Sequence, residues 1–332
     1  MLKKRIVFYG IPFCLLLLTA FFAMTYFARG ETMTVPEVLH FPQHPDMQAG
    51  KYPPAEMKIM TLNIAHGRKD GFSQILQDTA LIRSHLDDIV KTVKKESPFL
   101  LALQEADGPS LWSGNFDHVA YIAEKAGFPY AVRGEHVRGM GLSYGTALLS
   151  RIFPEKPVSH TFSPSPPTFS KGFVSAVFRW PGNPDMKIRA VSVHLDFSRK
   201  SVRTRQIHKM ANFVSAEKLP FVIMGDFNCG WDKGRSELAM MADTIKGKTY
   251  LPEADNLNTF YGKRLDWIVL SPHFEFGDYR VLPDILSDHS AVLSLIRENA
   301  SGIRFQSLWQ NRICRFQGHH IRKISSPLHE AL

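Results

Sequence analysis

Five short segments bring acids, amides and imidazoles to the end of apolar runs: Thr61-Leu62-Asn63, Leu103-Gln104-Glu105, Ser192-Val193-His194-Leu195-Asp196, Gly225-Asp226-Phe227-Asn228, and Leu265-Asp266-Trp267 with Ser287-Asp288-His289. Carboxylates hold hard cations and accept protons, imidazoles exchange protons near neutral pH, and amides donate to anionic oxygens. Converging on one point, such a set does what metal-assisted attack of water on a phosphate ester requires. No single segment specifies this chemistry, because an Asp-x-Asn turn or a Glu after a strand is also ordinary loop structure. The ordered set points to a phosphoesterase.

Groups of this kind are carried by strand ends, where the strand body is anchored in the core and its last residue meets water. Apolar runs predict strands over residues 58–62, 99–103, 146–149, 173–178, 188–193, 221–224, 265–270 and 291–296. The spacing of Leu81, Ile82, Leu86, Ile89, Val90 and Val93 predicts a helix over 78–95, closed by Ser97-Pro98. Further helices are expected over 119–126 and 202–216, and the Pro-rich stretch 153–167 reads as a loop. This mixture implies an α/β fold with two sheets face to face, helices outside and a site along one rim. Asp226 and Asn228, two residues apart, fall on one side of the chain.

The composition, 44% hydrophobic and 21% charged, is that of a globular protein. The formal charge of +9 is spread away from the candidate site: residues 57–300 hold 30 Lys and Arg against 26 Asp and Glu. In the 301–332 tail, Arg304, Arg312, Arg315, Arg322 and Lys323 face only Glu330. A strong electrostatic footprint for duplex nucleic acid is therefore absent. Three cysteines (Cys14, Cys229, Cys314) make neither a disulfide framework nor a zinc spacing, which leaves oxygen and nitrogen ligands for any metal.

Lys3, Lys4 and Arg5 precede an uncharged, mostly apolar run over 6–28, 23 residues long. At ~1.5 Å per residue that run spans a ~30 Å hydrocarbon layer. With no clear small-x-small site after it, residues 1–28 read as an uncleaved signal anchor in preference to a cleaved peptide. Its basic flank would stay cytoplasmic and the rest be exported, periplasmic or extracytoplasmic in a bacterium. Residues 29–56, proline-rich and aperiodic, read as a linker. In the tail, Phe305, Leu308, Trp309, Ile313 and Phe316 share one helical face, the pattern of a basic amphipathic segment on a membrane. Arg312 interrupts that face and favours a docked helix or a disordered tail instead.

Over residues 57–297 the segments resemble, in order, the endonuclease/exonuclease/phosphatase superfamily, and a bacterial membrane-anchored branch of it more than its nucleases. The resemblance implies a deoxyribonuclease-I-like four-layer α/β sandwich over residues 57–300. It implies Mg²⁺- or Mn²⁺-dependent phosphoester hydrolysis by in-line attack of water. Glu105 would be the main metal ligand, with Asn63 beside it and Asp288 facing the metal directly or through water. Asp226 would orient or deprotonate the water, Asn228 would donate to a phosphate oxygen, and His194 to the phosphoryl oxygen as charge builds. His289, oriented by Asp266, would act as general base or acid. Tyr144, His118, Lys171 and Asp196 are candidate substrate contacts, with core packing for Tyr144 and loop solvation for His118 as plain alternatives. Arg203 and Gln206 read as braces.

Membership of such a family fixes chemistry better than substrate. An anchored site raises the local concentration of lipid head groups, which favours a phospholipid or other membrane phosphodiester. An exported nuclease acting on nucleic acid is the alternative. A catalytically silent tethered binding module is a third reading, opposed by the presence of every acid and imidazole in the set.

Overall fold

A computed structural model of the chain describes Thr19 and residues 30–45, 56–71, 77–181, 183–252 and 256–299. The expected anchor, apart from Thr19, and the 301–332 tail lie outside the described residues. Among the described residues no helix is long and apolar enough to cross a membrane.

The chain runs β1 (Thr32–Thr34), β2 (Val38–His40), β3 (Glu56–Asn63), α1 (Thr79–Glu96), β4 (Leu100–Asp107), α2 (His118–Ala126), β5 (Tyr130–Gly139), β6 (Leu142–Ser150) and β7 (Glu155–Thr161). It continues through β8 (Gly172–Trp180), β9 (Asn183–His194), α3 (Lys200–Ala216), β10 (Phe221–Asp226), α4 (Glu237–Ile245), β11 (Lys248–Thr249), β12 (Asp266–Leu270), β13 (Phe274–Val281) and β14 (Val292–Glu298). Two seven-stranded mixed sheets result, ordered β1-β7-β8-β9-β10-β12-β11 and β13-β14-β3-β4-β6-β5-β2.

Each sheet has one interior parallel pair, β9–β10 in the first and β3–β4 in the second. A parallel pair needs a crossover, and α3 and α1 supply them. In such units ligands bind beyond the carboxyl ends of the strands. Those ends carry Asn63 and Glu105 in one sheet, His194 and Asp226 in the other.

Strand alternation explains the four layers. Ile59, Leu100 and Ala102 of one sheet meet Ala190, Val222 and Met224 of the other in an inner core. Met60, Leu62, Leu101 and Leu103 point the opposite way, onto Leu86 and Ile89 of α1 and Ile122 of α2. Phe221 and Ile223 pack outward on Ile207 and Met210 of α3. These strands are buried on both faces, so they appear in sequence as unbroken apolar runs. The sheets are tied just behind the site by Gln104, whose Nε2 donates to Ser192 Oγ at 2.9 Å.

Two expectations change. The linker read over 29–56 contains β1, paired with β7, and β2, paired with β5, so part of it edges both sheets. The loop read over 153–167 contains β7, since Pro157 sits in an outer strand flanked only by the three-residue β1 and by β8.

Candidate active site

At the end of β4 the ladder to β6 slips between Gln104 and Ala106, leaving Glu105 as a bulged residue at φ 48°. A bulge re-aims a side chain, and here it turns Glu105 toward the rim. Three cationic or ionisable groups face it: His66 Nε2 at 3.3 Å, Lys171 Nζ at 3.8 Å and His194 Nε2 at 4.0 Å. Burial opposes the charge on Glu105, but His66, Lys171 and His194 hold its carboxyl far below the usual range.

Across the cleft, β10 delivers Asp226. Gly225 makes this possible: at φ 144° a Cβ there would lie 2.0 Å from Val193 O of the neighbouring strand. Asp226 Oδ1 accepts from Asn228 N at 2.9 Å, and Oδ2 from the side-chain amides of Asn63 and Asn228, each at 3.1 Å. His194 Nε2 lies 3.4 Å and His289 Nε2 3.9 Å from the same Oδ2. Burial dominates and pushes Asp226 up to about 7, against the pull of His289, Asn228 and Lys171.

Asp266, at the start of β12, pairs in register with Asp226. Thr259 Oγ1 accepts from the backbone N–H of Leu265 and Asp266 and fixes that strand start. His289 Nδ1 donates to Asp266 Oδ2 at 2.7 Å. Burial works against a charge on His289, yet Asp266 and Asp226 outweigh it and push it up to about 10. His194 goes the other way: burial and the Lys171 ammonium lower it well below the ordinary imidazole value.

The structure thus brings Asn63, Glu105, Lys171, His194, Asp226, Asn228, Asp266 and His289 together. Asp288 enters with both oxygens engaged, Oδ2 by Arg68 at 3.0 Å and Oδ1 by Ser287 at 3.1 Å, so a cation there would share it with a guanidinium. Tyr144 lines one wall, its ring edge-on to His66 and beside Trp112 and Phe169.

Two expected substrate contacts are corrected. His118 is fully buried at the start of α2, its Nε2 bonded to Ser113 O at 2.9 Å, and is core. Asp196 is also fully buried and accepts from Ser165, Thr168, Ser198 and Arg199, so it brackets the loop before β8 rather than meeting substrate. Gln206 accepts from Asp196 N and Arg203 donates to Asp196 O and Glu237, the bracing read for both.

Sequence reasoning missed His66, Asp107 and Arg68. The one signal available was His66-Gly67 directly after the Asn63 strand end, where Ala65, His66 and Gly67 all take positive φ. Non-glycine residues held there cost about 1–3 kcal/mol each, a feature that concentrates at working sites.

Among the described residues, two places could hold a divalent cation. Ligand atoms of Asp226, Asp266 and His289 lie within 4.8 Å of one another, and Asp266 Oδ1 is buried with no hydrogen-bond partner. That trio, however, is already closed by the His289–Asp266 bond, and its members are at most 6% exposed. Glu105 is ionised and its side chain 18% exposed, which suits an ion that keeps several waters. The donor set at Glu105 therefore fits a hard divalent cation better.

Two packed mixed sheets with helices on both outer faces, and acids and imidazoles at the carboxyl ends of their parallel pairs, define an α/β sandwich whose rim carries the groups that phosphoester hydrolysis requires. The model of the endonuclease/exonuclease/phosphatase family matches residues 60–289, and the chain belongs to that family, whose members act on phosphoester bonds and typically need a metal. No curated protein matches the chain. Among solved structures it is similar to an endonuclease/exonuclease/phosphatase family protein from Leptotrichia buccalis (17% identity, TM-score 0.56, 72% of this chain and 98% of that one). It is similar also to the human Nocturnin catalytic domain (15%, 0.55, 80% and 98%). Beta toxin from Staphylococcus aureus matches at 17% identity and TM-score 0.52, over 72% of this chain and 99% of that one. At these identities the likeness is one of fold.

Proposed function

We propose that this protein is a membrane-anchored phosphodiesterase, dependent on Mg²⁺ or Mn²⁺, acting on the head group of a membrane phospholipid. The observation that carries the reading is Asp226: a buried carboxylate held by two asparagines, between His194 and the His289–Asp266 pair, across the cleft from Glu105.

Glu105 and Asn63, with Asp288, would hold the cation, which supplies Lewis acidity to a phosphate oxygen. Asp226 takes the proton of the attacking water, oriented by Asn63 and Asn228. Lys171, 3.1 Å from His194 Nε2, and His194 itself face the charge that builds on the phosphoryl oxygens. His289, charged at neutral pH, gives a proton to the leaving oxygen. Proton loss and proton gain are thus divided between two groups whose environments push them in the directions each role needs.

The lipid preference rests on the rim. Leu111, Met140, Phe169 and Phe197 are exposed apolar side chains. Leu111 packs on Gly141 beside Met140, Phe169 touches Trp112 and Tyr144, and the Phe197 ring lies 6.0 Å from Lys171 Nζ. With the apolar run over 6–28 as a tether, such a rim suits entry at a bilayer surface, with the domain on its exported side. The Trp112–Tyr144–Phe169 wall also offers stacking faces for unpaired bases, which keeps nucleic acid as the second reading. Full-length protein in detergent, assayed on phosphatidylcholine micelles beside plasmid and single-stranded DNA, separates them. Release of a lipid head group without strand cleavage supports the lipid reading; cleavage of DNA alone overturns it.

A further inference from the structure

Asp107, the last residue of β4, is fully buried, and three donors converge on its carboxylate: His66 Nδ1 at 2.7 Å, Trp112 Nε1 at 2.9 Å and Ser113 Oγ. The His66 ring is confined as tightly, with Trp112 and Tyr144 against it at 4.8 Å between centroids. An imidazole whose Nδ1–H is taken by a carboxylate turns Nε2 outward, where a cation displacing the Nε2 proton would find a lone pair, and metal-binding histidines almost always have a partner of this kind behind them. Here Nε2 points at Glu105, 3.3 Å from Oε2.

We infer that His66 Nε2 is a direct nitrogen ligand, beside Glu105, of the divalent cation, and that it biases this site toward Mn²⁺ over Mg²⁺. The inference rests on the phosphoesterase reading above and adds to it a ligand and a selectivity. Neighbouring donors on a six-coordinate ion with bonds of ~2.1 Å are separated by about 3.0 Å. The observed 3.3 Å between His66 Nε2 and Glu105 Oε2 closes to that with a small movement. His194 is a poorer nitrogen donor, since its Nε2 lies 4.0 Å from Glu105 Oε1 and faces the Lys171 ammonium at 3.1 Å. Oxygen ligands suit Mg²⁺ and Mn²⁺ alike, whereas an imidazole nitrogen is carried better by a first-row transition ion than by Mg²⁺, and Mn²⁺ is the ion of that row whose oxygen preference also fits Glu105.

The test uses the full chain in detergent with one equivalent of Mn²⁺, read by electron spin-echo envelope modulation, which detects an imidazole nitrogen bound to Mn²⁺. Calorimetric titrations with Mn²⁺ and Mg²⁺ accompany it. The wild type should show nitrogen modulation that His66→Gln loses, with Mn²⁺ affinity falling about tenfold or more and Mg²⁺ affinity changing much less. Asp107→Asn, which frees the ring, should weaken Mn²⁺ binding by about 10–100-fold. If His66→Gln does not fold, Asp107→Asn decides, because equal losses for the two ions overturn the assignment. Modulation absent from the wild type, or retained in His66→Gln, overturns the ligand and leaves the phosphoesterase reading standing. Failure of the wild type to bind either ion overturns both.

Discussion

Asp226 and Asp266 face each other in register across β10 and β12, and the His289 imidazole joins them, 2.7 Å from Asp266 and 3.9 Å from Asp226. Two buried carboxylates on adjacent strands would repel, and the imidazolium relieves that repulsion. Its proton is therefore held, which is why the proposed mechanism uses His289 as the acid. Asp226, raised to about 7 by burial, would then serve as the base.

The first expected outcome is a bell-shaped pH profile. The limb on which kcat/KM rises follows ionisation of Asp226 and lies at or below about 7, because a cation at Glu105 pulls it down. The falling limb follows loss of the His289 proton and lies at or below about 10. Initial rates from pH 5 to 10 on a soluble diester check it.

Asp266→Asn removes the anion that holds the His289 proton. It should lower kcat by about 10²–10⁴-fold and move the falling limb toward the ordinary imidazole range. Stability shifts with it. His289 is raised above its unfolded value, so its contribution is complete below about 6.5 and is lost as pH rises through about 10. The variant's melting temperature should therefore lie furthest below wild type at pH 6 and approach it towards pH 10.

Lys171→Met separates binding from turnover. The ammonium lies 3.8 Å from Glu105 Oε1, where it would compete with a divalent cation, and in the proposed mechanism it faces the phosphoryl oxygens. Divalent-ion affinity should rise severalfold and kcat fall by about 10²–10³-fold. Calorimetry and steady-state rates on one preparation read both.

Gly225→Ala tests how the second half of the site is placed. A Cβ 2.0 Å from Val193 O pries β9 from β10, which carry His194 and Asp226. A loss of at least about 1–3 kcal/mol in urea unfolding, with activity reduced beyond the loss of folded protein, is expected.

The parts of this arrangement legible in sequence are those with a strong local cause. Phe221–Asp226 is an unbroken apolar strand ending in an acid, and the helix Thr79–Glu96 follows its 3.6-residue stripe to within a residue of the range expected. The strands β1, β2 and β7 are hidden in the sequence, because β1 and β2 are three-residue edge strands, β7 lies in the Pro-rich stretch, and none of them carries an apolar run. His118 and Asp196 were misplaced for a related reason: a polar residue near a strand end or helix start looks the same whether it faces the cleft or a buried backbone group. His66 escaped notice because it lies in a three-residue turn, where neither period operates and only tertiary contact with Asp107 and Glu105 gives it meaning.

The most direct test is hydrolysis of bis-p-nitrophenyl phosphate beside p-nitrophenyl phosphate by full-length protein, first with Mg²⁺ or Mn²⁺ and then with EDTA, wild type against Asp226→Ala. Turnover of the diester that EDTA abolishes and that Asp226→Ala lowers by about 10²–10⁴-fold is expected. Turnover indifferent to EDTA, undiminished in Asp226→Ala, or confined to the monoester would contradict it.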